Sequence, residues 1–94
     1  MEWKDVTRYA KGERGNVTPR AWGTDLGSVD MTILRHDDYP PDVWLLRCNY
    51  LCVSRVLASK KLEDARAEAL NIVKAQMIFK RDELQRNITL LEEA

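Results

Sequence analysis

The segment from Leu62 to Glu93 contains no glycine and no proline, the two residues that most often interrupt a helix. It makes up about a third of the 94-residue chain. Its apolar residues recur at spacings of three and four, which is the period of one helix face. The segment therefore predicts one long C-terminal helix over about residues 60–93.

The length of this helix limits how the rest of the chain can cover it. Thirty-two residues make a helix about 48 Å long, whereas a compact domain of this size has a radius of gyration of about 13 Å. A sheet can then cover about half of it. Either the helix breaks near residues 80–83 and folds back, or it continues and pairs with its copy in another subunit. The length favours pairing, so Leu84, Ile88 and Leu91 are predicted to mediate self-association.

Residues 28–35 carry the clearest strand pattern. Val29, Met31 and Ile33 alternate with polar residues, as in a strand that is buried on one face. Residues 36–42 contain two adjacent prolines, which cannot donate to a sheet ladder and therefore end this strand.

Further strands are predicted on both sides of this one. Residues 43–57 are the most apolar window, and they predict either two strands that meet near residues 49–50 or one long bent strand. The hairpin is preferred because 15 residues is long for one strand in a small sheet. Residues 3–10 form a weaker strand candidate. Residues 11–27 hold all four glycines and are predicted to be a loop, which Trp22 holds against the core.

These patterns predict an α+β fold, in which an antiparallel sheet of three or four strands is packed by one long C-terminal helix. We expect a single domain over residues 1–94, with its strands within residues 3–57, because two domains would each be too short. Ser59 is a candidate cap for the helix. The predicted core is Val29, Met31, Ile33, Trp44, Leu46, Leu62, Ala65, Ala69, Val73 and Met77.

The composition narrows the functional classes. The chain has 15 basic and 15 acidic residues, whereas a dedicated nucleic-acid binder usually has a basic excess. No apolar run reaches the roughly 18 residues of a membrane span. The N-terminus lacks the apolar core of a signal peptide, so a cytoplasmic location is predicted. In that compartment the two cysteines are expected to be reduced thiols.

No group of residues forms a convincing catalytic or metal-binding motif. Cys48 and Cys52 are separated by three residues, whereas zinc sites usually require a different spacing and a second pair of ligands. His36 is the only histidine, and it lies beside the two prolines in a segment that reads as a solvated turn. We therefore predict a protein that is not an enzyme and that needs no cofactor or metal.

Nucleic-acid binding is the alternative prediction. Several basic residues cluster near the N-terminus, and two lysines precede the helix, where backbone N–H groups can bind phosphate. Acidic residues interleave with the N-terminal bases, which favours an ordinary solvated surface. The candidate residues are Arg8, Lys11, Arg14, Lys60 and Lys61.

Residues 28–75 combine a meander of short strands, containing Trp44-Leu45-Leu46, with a helix that opens Leu62-Glu63-Asp64-Ala65. This arrangement resembles small accessory proteins encoded by bacteriophages and mobile elements. The resemblance implies a protein that binds and blocks a host protein, such as a CRISPR effector or another defence component, or one that binds nucleic acid. The leading prediction is thus a non-enzymatic, homodimeric protein-binding accessory protein of the host cytoplasm, whose protein partner is unidentified.

Overall fold

The computed structural model describes residues 2–94, apart from the side chain of Leu26. The elements are β1 (Lys4–Asp5), β2 (Ala21–Leu26), β3 (Val29–Leu34), β4 (Leu45–Cys48), β5 (Val53–Val56) and α1 (Leu62–Glu92). The strands form one antiparallel sheet in the order β1-β2-β3-β4-β5. The α+β prediction is confirmed, with five strands in place of three or four.

Strand β2 accounts for the additional strand, and it lies within residues 11–27, which were predicted to be a loop. Gly23 is in the middle of β2 and pairs with Lys4 on one side and Thr32 on the other. A Cβ atom at Gly23 would lie 3.3 Å from Cγ1 of Val6. The glycine therefore allows a close approach of the chain that follows β1, and it is not a turn signal.

Strand β1 is much shorter than the predicted strand over residues 3–10. The Thr7 N–H donates to the Asp5 carboxylate at 3.0 Å, and Thr7 Oγ1 accepts the Ala21 N–H at 3.0 Å. The Val6 N–H still donates to the Ala21 carbonyl at 2.9 Å, and from Thr7 onward these side-chain hydrogen bonds take the place of the regular ladder. Hydrogen bonds from Thr7 and from the Tyr9 hydroxyl also hold the pKa of the Asp5 carboxyl below its ordinary value.

The predicted hairpin over residues 43–57 is confirmed. Strands β4 and β5 pair over four residues each, and residues 49–52 form the turn between them. Cys52 has φ of 56°, in the left-handed region that helps to reverse the chain. The turn lies beside α1, where Tyr50 and Leu51 face Met77 and Leu84 across a groove.

The core lies between α1 and one face of the sheet. Alternate residues of β3 point into it, so that Met31 and Ile33 are almost fully buried. Leu62 and Met77 were predicted to be core residues but are only partly buried, because they pack at the margin of the cluster. The buried members are Val29, Met31, Ile33, Trp44, Leu46, Cys48, Leu57, Ala65, Ala69 and Val73.

Helix α1 is continuous over 31 residues, which excludes the break near residues 80–83. Its N-cap is Lys61, with no side-chain hydrogen bond, so the predicted Ser59 cap is wrong. Instead the Glu68 carboxylate accepts the N–H groups of Ala58 and Ser59, at 2.9 and 2.8 Å. Burial opposes ionisation of Glu68, but these hydrogen bonds outweigh it and lower the pKa of the carboxyl.

The helix extends well beyond the sheet. The molecule measures 61 × 24 × 23 Å, and its radius of gyration of 16.7 Å exceeds the roughly 13 Å of a compact chain of this length. The buried residues of α1 are Ala65, Ala69 and Val73, all in its first half. Within residues 2–94 no helix has a stretch apolar enough to cross a bilayer.

Candidate interaction surface

The projecting half of α1 carries an uncovered apolar stripe. Leu84, Ile88 and Leu91 are 59%, 46% and 75% exposed. Leu84 follows Met77 by seven residues, and the next two steps, to Ile88 and then to Leu91, are four and three residues. These spacings continue the helix face that packs on the sheet through Val73. The structure thus brings the three predicted residues onto one face and leaves about half or more of each side chain exposed. We call Leu84, Ile88 and Leu91 the tip stripe.

A groove of about 660 Å³ lies where α1 leaves the sheet. Its apolar walls are formed by Val29, Tyr50 and Leu51 from the sheet end and by Met77, Leu84 and Ile88 from the helix. Lys80 and Arg81 add positive charge to the lining. We call this the corner groove. It joins the tip stripe to the sheet, so the two form one continuous apolar surface.

Other exposed apolar residues of the helix lie away from the tip stripe. Phe79 is 58% exposed and Leu90 is 64% exposed. At 100° per residue they lie more than about 100° around the helix from Leu84. They were not predicted as site residues because they lie off the helix face that Leu84, Ile88 and Leu91 share.

The five predicted nucleic-acid residues do not form one patch. Lys11 is exposed in the loop after β1, and the Arg14 guanidinium lies 4.8 Å from the Tyr9 ring centre. The Lys60 carbonyl accepts the indole N–H of Trp44 at 3.0 Å, and Lys61 caps the helix. Neither lysine lines the groove that contains Arg8.

That groove, of about 620 Å³, lies on the open face of the sheet, which is the face away from α1. It brings Arg8 together with Arg20, Arg35 and Arg47, which come from three other places in the chain and were not predicted. Asp37 is the only carboxylate that lines it. Among residues 2–94, Arg8 and Arg47 form no ion pair, whereas Arg20 contacts Glu13 at 3.4 Å. We call this the arginine groove.

Two arginines, Arg66 and the Arg35 of the arginine groove, stack on tryptophans at the core margin. The Arg66 guanidinium of α1 lies 4.8 Å from the Trp22 ring centre and 5.6 Å from that of Trp3. Arg35 lies 4.4 Å from the Trp44 ring. The contacts of Arg66 hold the helix against the sheet, and the contact of Arg35 holds the chain directly after β3 against the core. Trp22 therefore packs against the core as predicted, although it lies in strand β2.

The cysteines and the histidine lie in separate surroundings. Cys48 is buried, Cys52 is exposed, and both thiols are free. The Nδ1 atom of His36 accepts the Asp38 N–H at 3.1 Å, in the connection between β3 and β4. Within residues 2–94 no three His, Cys, Asp or Glu side chains lie close enough together to hold a metal ion.

We compared the chain with protein-family models, with curated proteins and with solved structures, and found no match. The geometry gives two candidate sites, which are the tip stripe with its corner groove and the arginine groove on the open face of the sheet.

Proposed function

We propose that this chain is a non-enzymatic protein-binding protein that associates with a second copy of itself through the projecting half of α1. The observation that supports the proposal is the tip stripe, three large aliphatic side chains on a helix that has left its own sheet. Full burial of each would contribute about 1.5–3 kcal/mol. A second helix with the same stripe can provide that burial.

The spacing of the stripe favours a helix as the partner. Met77, Leu84 and Leu91 recur every seven residues, which is the repeat of paired helices. Lys80 and Asn87 occupy the companion positions of this repeat, so the paired segment is short. The corner groove lengthens the apolar surface beyond what the tip stripe alone would provide.

Replacement of Leu84 and Ile88 by aspartate tests this proposal. We expect the mass in light scattering to fall from twice 10.9 kDa to 10.9 kDa, because four charges would enter the seam of each dimer. Both residues are exposed, so the circular dichroism spectrum and the thermal midpoint of the monomer should be retained. An unchanged mass in this variant would contradict the proposal.

The matched control is the Phe79→Asp/Leu90→Asp variant, which makes the same kind of change away from the tip stripe. It should remain dimeric.

We further propose, from the resemblance to phage and mobile-element accessory proteins, that the dimer covers the surface of a host protein. Phe79 and Leu90, which are exposed away from the tip stripe, would make this contact. A host protein that binds this surface should be retained on the immobilised wild type and lost from the Phe79→Asp/Leu90→Asp variant.

A second candidate function is binding of nucleic-acid phosphates, which the arginine groove favours. Arg8 and Arg47 offer guanidinium groups without ionic partners, and only Asp37 opposes them in the lining. Guanidinium groups bind phosphate oxygens in bidentate geometry. The aromatic residues Trp3, Trp22 and Trp44 pack towards the core, so this groove would contact the phosphate backbone and not stack on bases.

The Arg8→Gln/Arg47→Gln variant tests this second candidate with a labelled single-stranded oligonucleotide. Loss of two phosphate contacts should weaken binding roughly 60-fold at about 50 mM salt and reduce the salt slope by about 1.4. The Lys60→Gln/Lys61→Gln variant removes the same charge outside the groove and should bind as the wild type does. Equal weakening in both variants, or no wild-type binding at this salt concentration, would exclude the arginine groove as a binding site.

A further inference from the structure

We propose that two copies pair antiparallel, with a twofold axis near Leu84, so that Leu91 of each helix enters the corner groove of the other. This inference rests on the proposed self-association and specifies its geometry. It assigns an occupant to the corner groove, namely the helix end of a second copy of this chain.

The lengths of the two halves match. Leu91 lies seven residues after Leu84 and Met77 lies seven residues before it. Measured along the helix, each is therefore about 10.5 Å from the twofold axis. In an antiparallel pair centred on Leu84, Leu91 of one helix is therefore opposite Met77 of the other. Met77 is part of the corner groove, together with Tyr50 and Leu51 of the β4–β5 turn.

The position of the sheet also fits this arrangement. The tip stripe continues the helix face that packs on the sheet, so the second helix would lie in the space just beyond the sheet end. Helix α1 ends at Glu92, one residue after Leu91. In this arrangement Leu91 of each helix would reach the sheet end of the other copy, where Tyr50 and Leu51 lie.

Charge complementarity selects the antiparallel direction. Residues 69–81 contain Lys74, Lys80 and Arg81 and no carboxylate. Residues 87–94 contain Glu92 and Glu93 and no base. Antiparallel pairing sets the acidic end of each helix against the basic segment of the other. Parallel pairing would set the acidic ends side by side, where like charges repel.

The helix end itself provides a second reason. The last turn of α1 has no basic residue, and Glu92 and Glu93 lie at the negative end of the helix dipole. An isolated helix is weakened by acidic residues in this position. Lysines of a second copy would offset both the carboxylates and the dipole.

A charge exchange between two variants tests the direction of pairing. Lys74→Glu/Lys80→Glu places carboxylates against the acidic end, and Glu92→Lys/Glu93→Lys places lysines against the basic segment. Each variant alone should dimerise roughly 30-fold more weakly than the wild type, as expected for several lost and reversed surface ion pairs. An equimolar mixture should recover the wild-type mass in light scattering, because both halves of the mixed dimer are again complementary.

The charge-matched control is Lys60→Glu/Lys61→Glu, which lies at the other end of the helix and should dimerise as the wild type does. If Lys74→Glu/Lys80→Glu also dimerises as tightly as the wild type, the antiparallel arrangement is wrong, although self-association stands. A wild-type protein that is monomeric would instead remove the proposed function, and the two failures are thereby distinguished.

Disulfide formation gives an independent test, in a Cys52→Ser background that removes the exposed native thiol. Leu91→Cys alone should form no disulfide-linked dimer, because the two copies of residue 91 would be about 21 Å apart along the direction of the helices. Leu84→Cys should form a disulfide-linked dimer readily, because residue 84 of both copies would lie near the twofold axis. A disulfide-linked dimer of Leu91→Cys would show parallel pairing and overturn the inference.

Discussion

Replacement of Trp44 by alanine is expected to lower the free energy of unfolding by about 3–5 kcal/mol. The Trp44 side chain is 2% exposed and is the largest in the core. Its ring supports the Arg35 guanidinium, and its indole N–H donates to the Lys60 carbonyl directly before α1. The substitution would therefore leave a cavity and also release the start of the helix from the sheet. Urea unfolding followed by circular dichroism measures this loss.

The Trp44→Phe variant separates the two contributions. It keeps an aromatic ring in the core but cannot donate to the Lys60 carbonyl, so a loss of about 1 kcal/mol is expected. The free energy of unfolding of a domain of this size is about 5–15 kcal/mol. The Trp44→Ala variant would therefore lose a large share of its stability. If alanine and phenylalanine cost the same, Trp44 does not contribute to the core in the way described.

Replacement of Ala69 by leucine is expected to cost about 1–3 kcal/mol, although leucine favours helices. Ala69 is fully buried where α1 lies on the sheet. The added carbon atoms would push the helix away from β3, whose Met31 and Ile33 belong to the same buried cluster as Ala69. The same urea titration measures the effect on the free energy of unfolding.

The matched control for this change is Ala67→Leu, on the exposed side of the same helix turn. It makes an identical covalent change without touching the sheet, so its effect should stay within about 0.5 kcal/mol. Similar losses at positions 67 and 69 would mean that the helix does not pack on the sheet through its small residues.

The elements with regular periodicity could be predicted from the sequence. The alternation in residues 28–35 requires a strand with one buried face, and the uninterrupted apolar spacing after Leu62 requires a long helix. Strand β2 was missed because Gly23 has a tertiary role, the close approach of Val6, which local sequence cannot reveal. Likewise, the side chain of Thr7 ended β1 earlier than residue type alone indicated.

The candidate sites differ in the same way. The tip stripe lies within one helix, so spacing alone was sufficient to select Leu84, Ile88 and Leu91. The corner groove adds Tyr50 and Leu51, whose position beside α1 depends on how the hairpin packs. The arginine groove assembles residues from distant segments of the chain, and no local pattern relates them.

Pairing of two copies through the projecting half of α1 would be visible in the mass of the protein in solution. Multi-angle light scattering of the wild-type protein over a wide range of concentrations measures that mass. We predict a mass of twice 10.9 kDa at high concentration that decreases towards 10.9 kDa on dilution. A mass of 10.9 kDa at every concentration would show that the two copies do not pair.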